Sequence, residues 1–186
     1  GAHLLNIAGG HTLDQIVFCF GSLQEISARV TTRLKQLRMA DTGEMVDNKV
    51  ADHILLNGVF SHGALLNYQI MSVPHNADGW HLSVYGSKGT IMASTQGLPQ
   101  ITPTTLIGAQ GDEPLGELPV PERLRRMPDA IPFGPPQNVG RAYLRMVEAI
   151  QEGKPFEPNF DDARNTHRLL EAIQESSDKG RVIKLD

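Results

Sequence analysis

The sequence predicts an α+β fold in which helices pack on one face of a mainly antiparallel, open sheet. Helical spacing of apolar residues opens the chain at residues 2–20 and returns at 138–152 and 161–176. Several segments with a two-residue period lie between the first and the later helices. Short turns join these segments, and such turns can connect only antiparallel strands. Helices placed outside a run of strands are typical of an α+β layer architecture.

The opening helix is predicted from apolar residues at helical spacing and from Gly21, which can end it. Its apolar residues are Leu4, Leu5, Ala8, Leu13, Ile16, Val17 and Phe20. Two adjacent glycines, Gly9 and Gly10, interrupt this pattern. Each glycine costs about 1 kcal/mol relative to alanine in a helix. The pair therefore predicts either close packing against a neighbour or a bulged turn just before His11.

The middle of the chain predicts a meander of strands. Residues 24–38 alternate apolar and polar positions as one long strand, and a turn follows at 41–44. Residues 52–57 and 64–73 form the next pair, with Asp52 and His53 expected on the sheet surface. Residues 80–85 and 90–94 flank the glycine-rich turn Gly86–Gly89 as a hairpin.

A proline-rich segment over residues 99–136 contains nine of the twelve prolines. Such a segment is predicted to form neither a central strand nor a continuous helix. Its length predicts a functional flap, an extended edge segment or a partly disordered loop. The last helix takes its N-cap from residues 160–162 and ends at Gly180, and residues 181–185 form a final edge strand. Residues 1–186 are predicted to form a single domain.

Composition excludes several classes of protein. The 186 residues carry a net charge of −4, with no basic cluster of the kind that binds nucleic acid. Cys19 is the only cysteine, which excludes an internal disulfide, and no apolar run is long enough to span a membrane. The histidines lack metal-ligand spacing, so no metal site is predicted. We expect a cytoplasmic protein without nucleic-acid or membrane partners.

Three patches of sequence, in the right order, carry a resemblance to a known family. They are Gly9–Asp14, with the order Gly-Gly-His-Thr-Leu-Asp; Trp80–Ile91, with its glycine-rich turn; and Phe160–Ser177, which ends in Ser-Ser. Together they resemble the C-terminal domain of the Gfo/Idh/MocA oxidoreductases. The segment Asp52–Gly58 is most similar to fungal members, a branch that includes the galactose-regulon repressor of yeasts.

The resemblance implies roles for particular residues. His11 matches the family's histidine that binds the substrate hydroxyl, and an imidazole can transfer protons near neutral pH. The family's aspartate four residues earlier is replaced by Ile7, and Asp14 lies close enough on the helix to substitute for it. His11 and Asp14 are therefore the predicted catalytic residues. The candidates for substrate contact are Asn6, His53, Trp80 and Tyr85, with packing on the sheet as the alternative for the last three.

The family's nucleotide-binding domain precedes the helix that opens this chain. Gly9 and Gly10 lack the strand–turn–helix context of a dinucleotide fingerprint, so no bound cofactor is predicted. We predict a stand-alone, cofactor-independent enzyme, an isomerase, lyase or cyclase, that acts on a small organic substrate of fungal secondary metabolism. The alternatives are a fragment of an NAD(P)-dependent oxidoreductase and a non-catalytic ligand-binding or dimerisation module.

A homodimer formed through the sheet is also predicted. The strands at 52–57 and 64–73 supply apolar residues for both faces of the sheet, whereas helices are expected on one face alone.

Overall fold

The computed structural model describes residues 3–72 and 75–185. Ala2, the first residue of the predicted opening helix, and Val73, the last of a predicted strand, lie outside the described residues. The chain divides into two compact units: a first unit of Gly1–His75 with Pro158–Asp186, and a second unit of Asn76–Glu157. Three α-helices and open antiparallel sheets confirm the predicted α+β class. The prediction of a single domain stays a prediction.

The first unit is a four-stranded sheet covered on one face by two helices. Its strands are β1 (Leu23–Thr31), β4 (His53–Phe60), β5 (Leu65–Met71) and β10 (Ile183–Lys184), and its helices are α1 (Gly10–Phe20) and α3 (Phe160–Lys179). The strand order is β10-β1-β4-β5, with antiparallel neighbours. Fully buried side chains include Leu13, Ile26, Ile54, Leu56 and Ile173. Each such burial contributes about 1.5–3 kcal/mol, so this core fixes α1 and α3 on the sheet.

A π-helical turn (Leu5–Gly9) leads into α1, and the glycine pair lies at the junction. The Gly9 amide donates to the Leu4 carbonyl at 2.8 Å, a hydrogen bond five residues long. A Cβ on Gly9 would lie 3.2 Å from the Leu4 carbonyl oxygen, and one on Gly10 would lie 3.6 Å from Leu170 of α3. The expected bulge is confirmed, whereas the space beside Gly10 would accept a Cβ at ordinary contact distance from Leu170.

The prediction of one strand over residues 24–38 is wrong. β1 ends at Thr31, and the following residues form a separate two-stranded ribbon of β2 (Gln36–Arg38) and β3 (Met45–Asp47). The carboxylate of Asp52 accepts hydrogen bonds from the amides of Arg33 and Leu34 at 2.8 and 2.9 Å. Asp52 is 2% exposed, so its predicted place on the sheet surface is also wrong. Its bonds bend the chain out of the sheet and begin the ribbon.

The ends of α3 depend on local hydrogen bonds. Asn159, rather than the predicted residues 160–162, is the N-cap, and it forms a reciprocal capping box with Asp162. Gly180 ends the helix in the left-handed conformation, as predicted. The predicted edge strand is confirmed as β10, which pairs with β1 at Glu25 and Ile26.

The second unit contains a four-stranded antiparallel sheet and one helix. Its strands are β6 (Trp80–Gly86), β7 (Gly89–Thr95), β8 (Thr105–Gln110) and β9 (Gly116–Glu117), in that order across the sheet, and its helix is α2 (Pro135–Glu152). The predicted β6–β7 hairpin is confirmed. The exclusion of a central strand from residues 99–136 is wrong, because β8 lies between β7 and β9. The stretch from Pro103 to Pro114 contains no other proline and can complete a ladder.

The rest of the proline-rich segment lies along α2 within the second unit. The side chain of Arg126 forms an ion pair with Glu148 of α2, and Asn138 donates to the carbonyl of Gln100 at 2.7 Å. Gly140 leaves room for the sulfur of Met127. None of the helices in the described part of the chain is both long and apolar enough to cross a membrane.

Candidate functional site

His11 is the second residue of α1 and is exposed. Its imidazole makes no hydrogen bond to any residue that the structure describes. Ile7 and Phe18 lie on nearly the same side of the helix as His11. Ile7 is four residues before His11 and Phe18 is seven after it, and these separations correspond to about one and two helical turns. Both are exposed, Phe18 by 78%. His11 is therefore a polar group with two apolar neighbours, on a helix whose opposite side is fixed in the core.

Asp14 has a partner on the neighbouring helix. Its carboxylate accepts a hydrogen bond from the Thr166 hydroxyl of α3 at 2.9 Å. Gly10, which lies one turn before Asp14 on α1, faces Leu170, which lies one turn after Thr166 on α3. This order shows that the two helices run antiparallel. Asp14 thus holds α1 against α3, and its predicted role beside His11 stays a prediction.

The position four residues before His11 has no acid–base function. Ile7 is exposed there, and its side chain cannot accept or donate a proton. Asn6 is also exposed, on the π-helical turn about one turn before His11. This end of α1 therefore offers an imidazole and an amide, and the nearest carboxylate along the helix, Asp14, is bound to Thr166.

His53 lies on the opposite face of the sheet from α1. Along β4 the side chains of Ile54 and Leu56 are buried in the core, and His53 alternates with them. The imidazole of His53 instead pairs with the amide of Gln69 on β5, at 2.8 Å. The structure does not bring His53 together with His11.

Trp80 and Tyr85 belong to β6 in the second unit. An odd separation along a strand places two side chains on opposite faces of its sheet. Trp80 is half-buried on the face that includes Leu82, and Tyr85 is exposed on the other face. The two aromatic residues therefore cannot line one side of a common pocket.

Tyr68 is a polar residue near the π-helical turn that the sequence did not single out as part of a site. It is buried on β5, and its hydroxyl would lie 3.8 Å from a Cβ on Gly9. Burial raises the pKa of Tyr68, so its hydroxyl stays protonated and the ring acts as part of the floor beneath α1. Period-two spacing placed Tyr68 on a strand, but no sequence signal connects it with Gly9.

The glycine pair does not form a dinucleotide-binding turn. Gly9 and Gly10 both have right-handed helical dihedrals, and they continue a helix rather than linking a strand to a helix. A phosphate cradle needs free amides at such a link. The strand pairs among the described residues are all antiparallel, unlike those of a nucleotide-binding fold. Residues 3–72 and 75–185 also contain no group of three or more side chains able to hold a metal ion.

Comparisons with known proteins agree with this architecture. The sequence model of the family described as "Gal80p, C-terminal domain" matches residues 1–95, just over half of the chain. No protein with a curated description matches the sequence.

Among solved structures, a super-repressor mutant of Gal80p from Saccharomyces cerevisiae superposes with a TM-score of 0.81 at 17% identity over 99% of this chain and 50% of its own. An oxidoreductase domain protein from Kribbella flavida gives 0.77 at 22% identity, over 100% of this chain and 51% of its own. The aldose-aldose oxidoreductase of Caulobacter crescentus, solved with glycerol, gives 0.69 at 20% identity, over 100% and 48%. The chain spans about half the length of these structures.

These likenesses establish the fold, and the sequence match establishes the family. The resemblance to the C-terminal domain of Gfo/Idh/MocA oxidoreductases is confirmed. The chain belongs to the family of Gal80p-like C-terminal domains.

Proposed function

We propose that the chain supplies the substrate-side domain of a Gfo/Idh/MocA-type oxidoreductase, with His11 as the group that hydrogen-bonds a hydroxyl of a sugar-like substrate. The exposed His11 on a firmly anchored helix is the observation that carries this proposal. An imidazole in such a place can donate to or accept from a substrate hydroxyl. Neighbours described as an aldose-aldose oxidoreductase and a levoglucosan dehydrogenase complexed with NADH support a sugar as the substrate class.

The glycine pair continues a helix and does not form a phosphate-binding turn. We therefore propose that the hydride carrier is held by residues outside those described. The contribution proposed for this chain is to bind and orient the substrate. The π-helical turn, Tyr68 beneath it and the bond between Asp14 and Thr166 support that role, because they fix the end of α1 that presents His11. Preorganisation of this kind limits the loss of side-chain freedom on binding.

Oxidation of NADH or NADPH by the natural gene product in the presence of aldoses tests the proposal. We expect turnover that His11→Ala reduces by about a hundredfold, because a substrate that is misplaced by about 1 Å reacts about that much more slowly. His167→Ala is the matched control, because His167 is an exposed helical histidine on α3. Absence of NAD(P)H-dependent turnover, or equal effects of the two substitutions, would count against the proposal.

A second candidate is a non-catalytic ligand-binding module, as in the Gal80p branch. Ile7 in the position of the family's aspartate favours it, together with the engagement of Asp14 by Thr166. If the chain is such a module, we expect it to bind a ligand without converting it. Sugar binding that is lost in His11→Ala, combined with no reaction on any aldose, would select it over the oxidoreductase.

A third proposed function is a stand-alone, non-redox isomerase, lyase or cyclase. We also propose that the protein is located in the cytoplasm. For this activity the chain must convert a substrate in nucleotide-free buffer. Neither of two clefts in the first unit, one beside β1 and the ribbon and one on the open sheet face, is lined by His11. Product formation by residues 1–186 alone, sensitive to His11→Ala, is the result that would favour it.

We also propose that the open face of the first unit's sheet pairs with a second copy of the chain. This face carries Leu55, Leu65 and Met71, all exposed, and Leu65 by 81%. Two pairs of its polar side chains bond across strands, Asn57 with Asn67 at 2.9 Å and His53 with Gln69 at 2.8 Å. Light scattering should report a dimer that Leu65→Asp dissociates and Leu115→Asp, on an exposed loop of the second unit, does not. A monomer at micromolar concentration would contradict this.

A further inference from the structure

A polar cleft in the first unit lies apart from His11, between the end of β1, the ribbon and α3. Its volume is about 440 Å³, within the range of small-molecule sites. The polar residues that line it are His3, Thr31, Thr32, Lys35, Lys49 and Gln174. None of the described residues in its lining is acidic. The cleft therefore places basic side chains around one space without a carboxylate in its wall.

The two lysines flank the ribbon at its open end, away from the turn at 41–44. Lys35 precedes β2 and Lys49 follows β3, and the Asn48 amide donates to the Lys35 carbonyl at 2.8 Å, so the two ends lie side by side. The ammonium group of Lys35 is held by the Thr32 carbonyl at 2.9 Å, which leaves its other protons available. The ribbon thus presents two positive charges on one side of the cleft.

His3 supplies an unusual third group. Its backbone carbonyl accepts from the Ile7 amide at 3.0 Å, so the residue is fixed at the start of the helical segment. Its Nδ1 atom is shielded from solvent and has no hydrogen-bond partner among the described residues. A shielded polar atom without a partner costs free energy, and the residue that carries it lies in the cleft wall.

The nearest buried carboxylate does not neutralise this group of donors by hydrogen bonding. Asp52 follows Ala51 of the cleft wall, but its oxygens accept from the amides of Arg33 and Leu34 and from the side chain of Asn48. Gln174 also has a partner, Asp178, to which its amide nitrogen donates. The Thr32 hydroxyl donates to the Val50 carbonyl at 2.9 Å. The groups left for a ligand are the His3 imidazole, the Thr31 hydroxyl and the ammonium groups of Lys35 and Lys49.

We propose that this cleft binds a small molecule through a carboxylate or phosphate group held by His3, Lys35 and Lys49. Both groups accept several charge-assisted hydrogen bonds, which are stronger than neutral ones. The site shares no residue with the surface around His11, so this inference does not depend on the function proposed there.

The test is an NMR titration of the chain with inorganic phosphate, acetate and chloride at matched ionic strength. We expect saturable shifts at His3, Thr32 and Lys49 with phosphate or acetate, and the more effective anion identifies the group. Lys49→Gln should weaken binding about tenfold, the loss of one charge-assisted bond. Lys88→Gln, an exposed lysine of the second unit, should change nothing. Shifts that chloride reproduces, or that do not saturate, would show general screening and overturn the proposal.

Discussion

The hydroxyl of Ser176 on α3 accepts a hydrogen bond from the buried amide of Ala28 on β1, at 3.0 Å, and donates to the Arg181 carbonyl at 2.7 Å. β10 pairs with β1 only at Glu25 and Ile26, so it does not reach Ala28. Ser177 also takes the place of a neighbouring strand, because its hydroxyl accepts a hydrogen bond from the Val30 amide at 2.8 Å. The two serines thus complete the edge of β1 where the neighbouring strand is missing, and they attach α3 to the sheet that supports α1.

Ser176→Ala should therefore lower the free energy of unfolding by about 1–3 kcal/mol, because it leaves the Ala28 amide buried without a partner. Ser176 is 1% exposed, so water cannot replace the hydroxyl readily. Urea denaturation measures the change, with Ser83→Ala on the exposed surface of β6 as the control. Equal stability of the two variants would show that the edge of β1 does not need Ser176.

Asp52 should make the free energy of unfolding depend on pH in the acid range. Burial alone would raise the pKa of Asp52. The hydrogen bonds from the Arg33 and Leu34 amides outweigh burial, so the pKa of Asp52 lies below its ordinary value. A carboxyl whose folded pKa is depressed stabilises the protein above its unfolded pKa, near 3.9, and loses that contribution as the pH falls through the folded pKa. The stability that Asp52 contributes is thus present at neutral pH and lost in acid below about pH 4.

Asp52→Asn removes one acceptor from this bend and should cost about 1–3 kcal/mol at pH 7. Denaturant midpoints measured from pH 7 to pH 3 should fall less steeply in the variant than in the unmodified chain. Hydrogen exchange should increase at Arg33 and Leu34, whose amides lose a charged acceptor. Identical pH profiles for the two proteins would exclude Asp52 as a source of acid sensitivity.

Two glycines should respond to alanine in opposite directions. Gly10 is helical, and its added Cβ would make ordinary contact with Leu170 at 3.6 Å, so Gly10→Ala should stabilise by up to about 1 kcal/mol. Gly89 has a φ of 157°, and a Cβ there would overlap the Ala109 carbonyl. Gly89→Ala should therefore destabilise. Thermal melting of both variants checks the pair, and a lower melting temperature for Gly10→Ala would contradict the packing described for α1.

Residues 1–186 should bind neither NADH nor NADPH. The glycine pair is helical, and the described residues contain no strand–turn–helix phosphate cradle. Calorimetric titration is the measurement. Micromolar affinity corresponds to about 8 kcal/mol and requires a formed site, so such affinity for either nucleotide would refute this expectation.

Much of the fold was predictable because local signals agreed with the tertiary structure. The glycine pair, the Gly86–Gly89 hairpin and the edge strand near Ile183 all depend on neighbours in sequence or on side-chain period. The bend after Thr31 was not predictable in this way. It depends on Asp52, whose carboxylate meets the Arg33 amide from 19 residues away, and an alternating pattern through residue 38 gave no sign of it.

The candidate site was predictable only at His11, through the resemblance. The bond between Asp14 and Thr166 joins residues 152 apart, which no helical spacing on α1 can foresee. The odd separation of Trp80 and Tyr85, by contrast, already placed them on opposite faces of a strand. The basic cleft had one usable signal, since the turn at 41–44 brings Lys35 and Lys49 together once the ribbon is recognised.

The most direct test of the central claim, that His11 is the substrate-binding group of this domain, is an NMR titration of the histidine side chains with an aldose in nucleotide-free buffer. We expect the ring signals of His11 to shift and saturate, while those of His167 on α3 stay in place. His11→Gln should abolish saturation at neighbouring residues of α1 without unfolding the chain, since His11 is exposed. An unchanged His11 ring in the presence of saturating aldose, or equal shifts at His11 and His167, would contradict the claim.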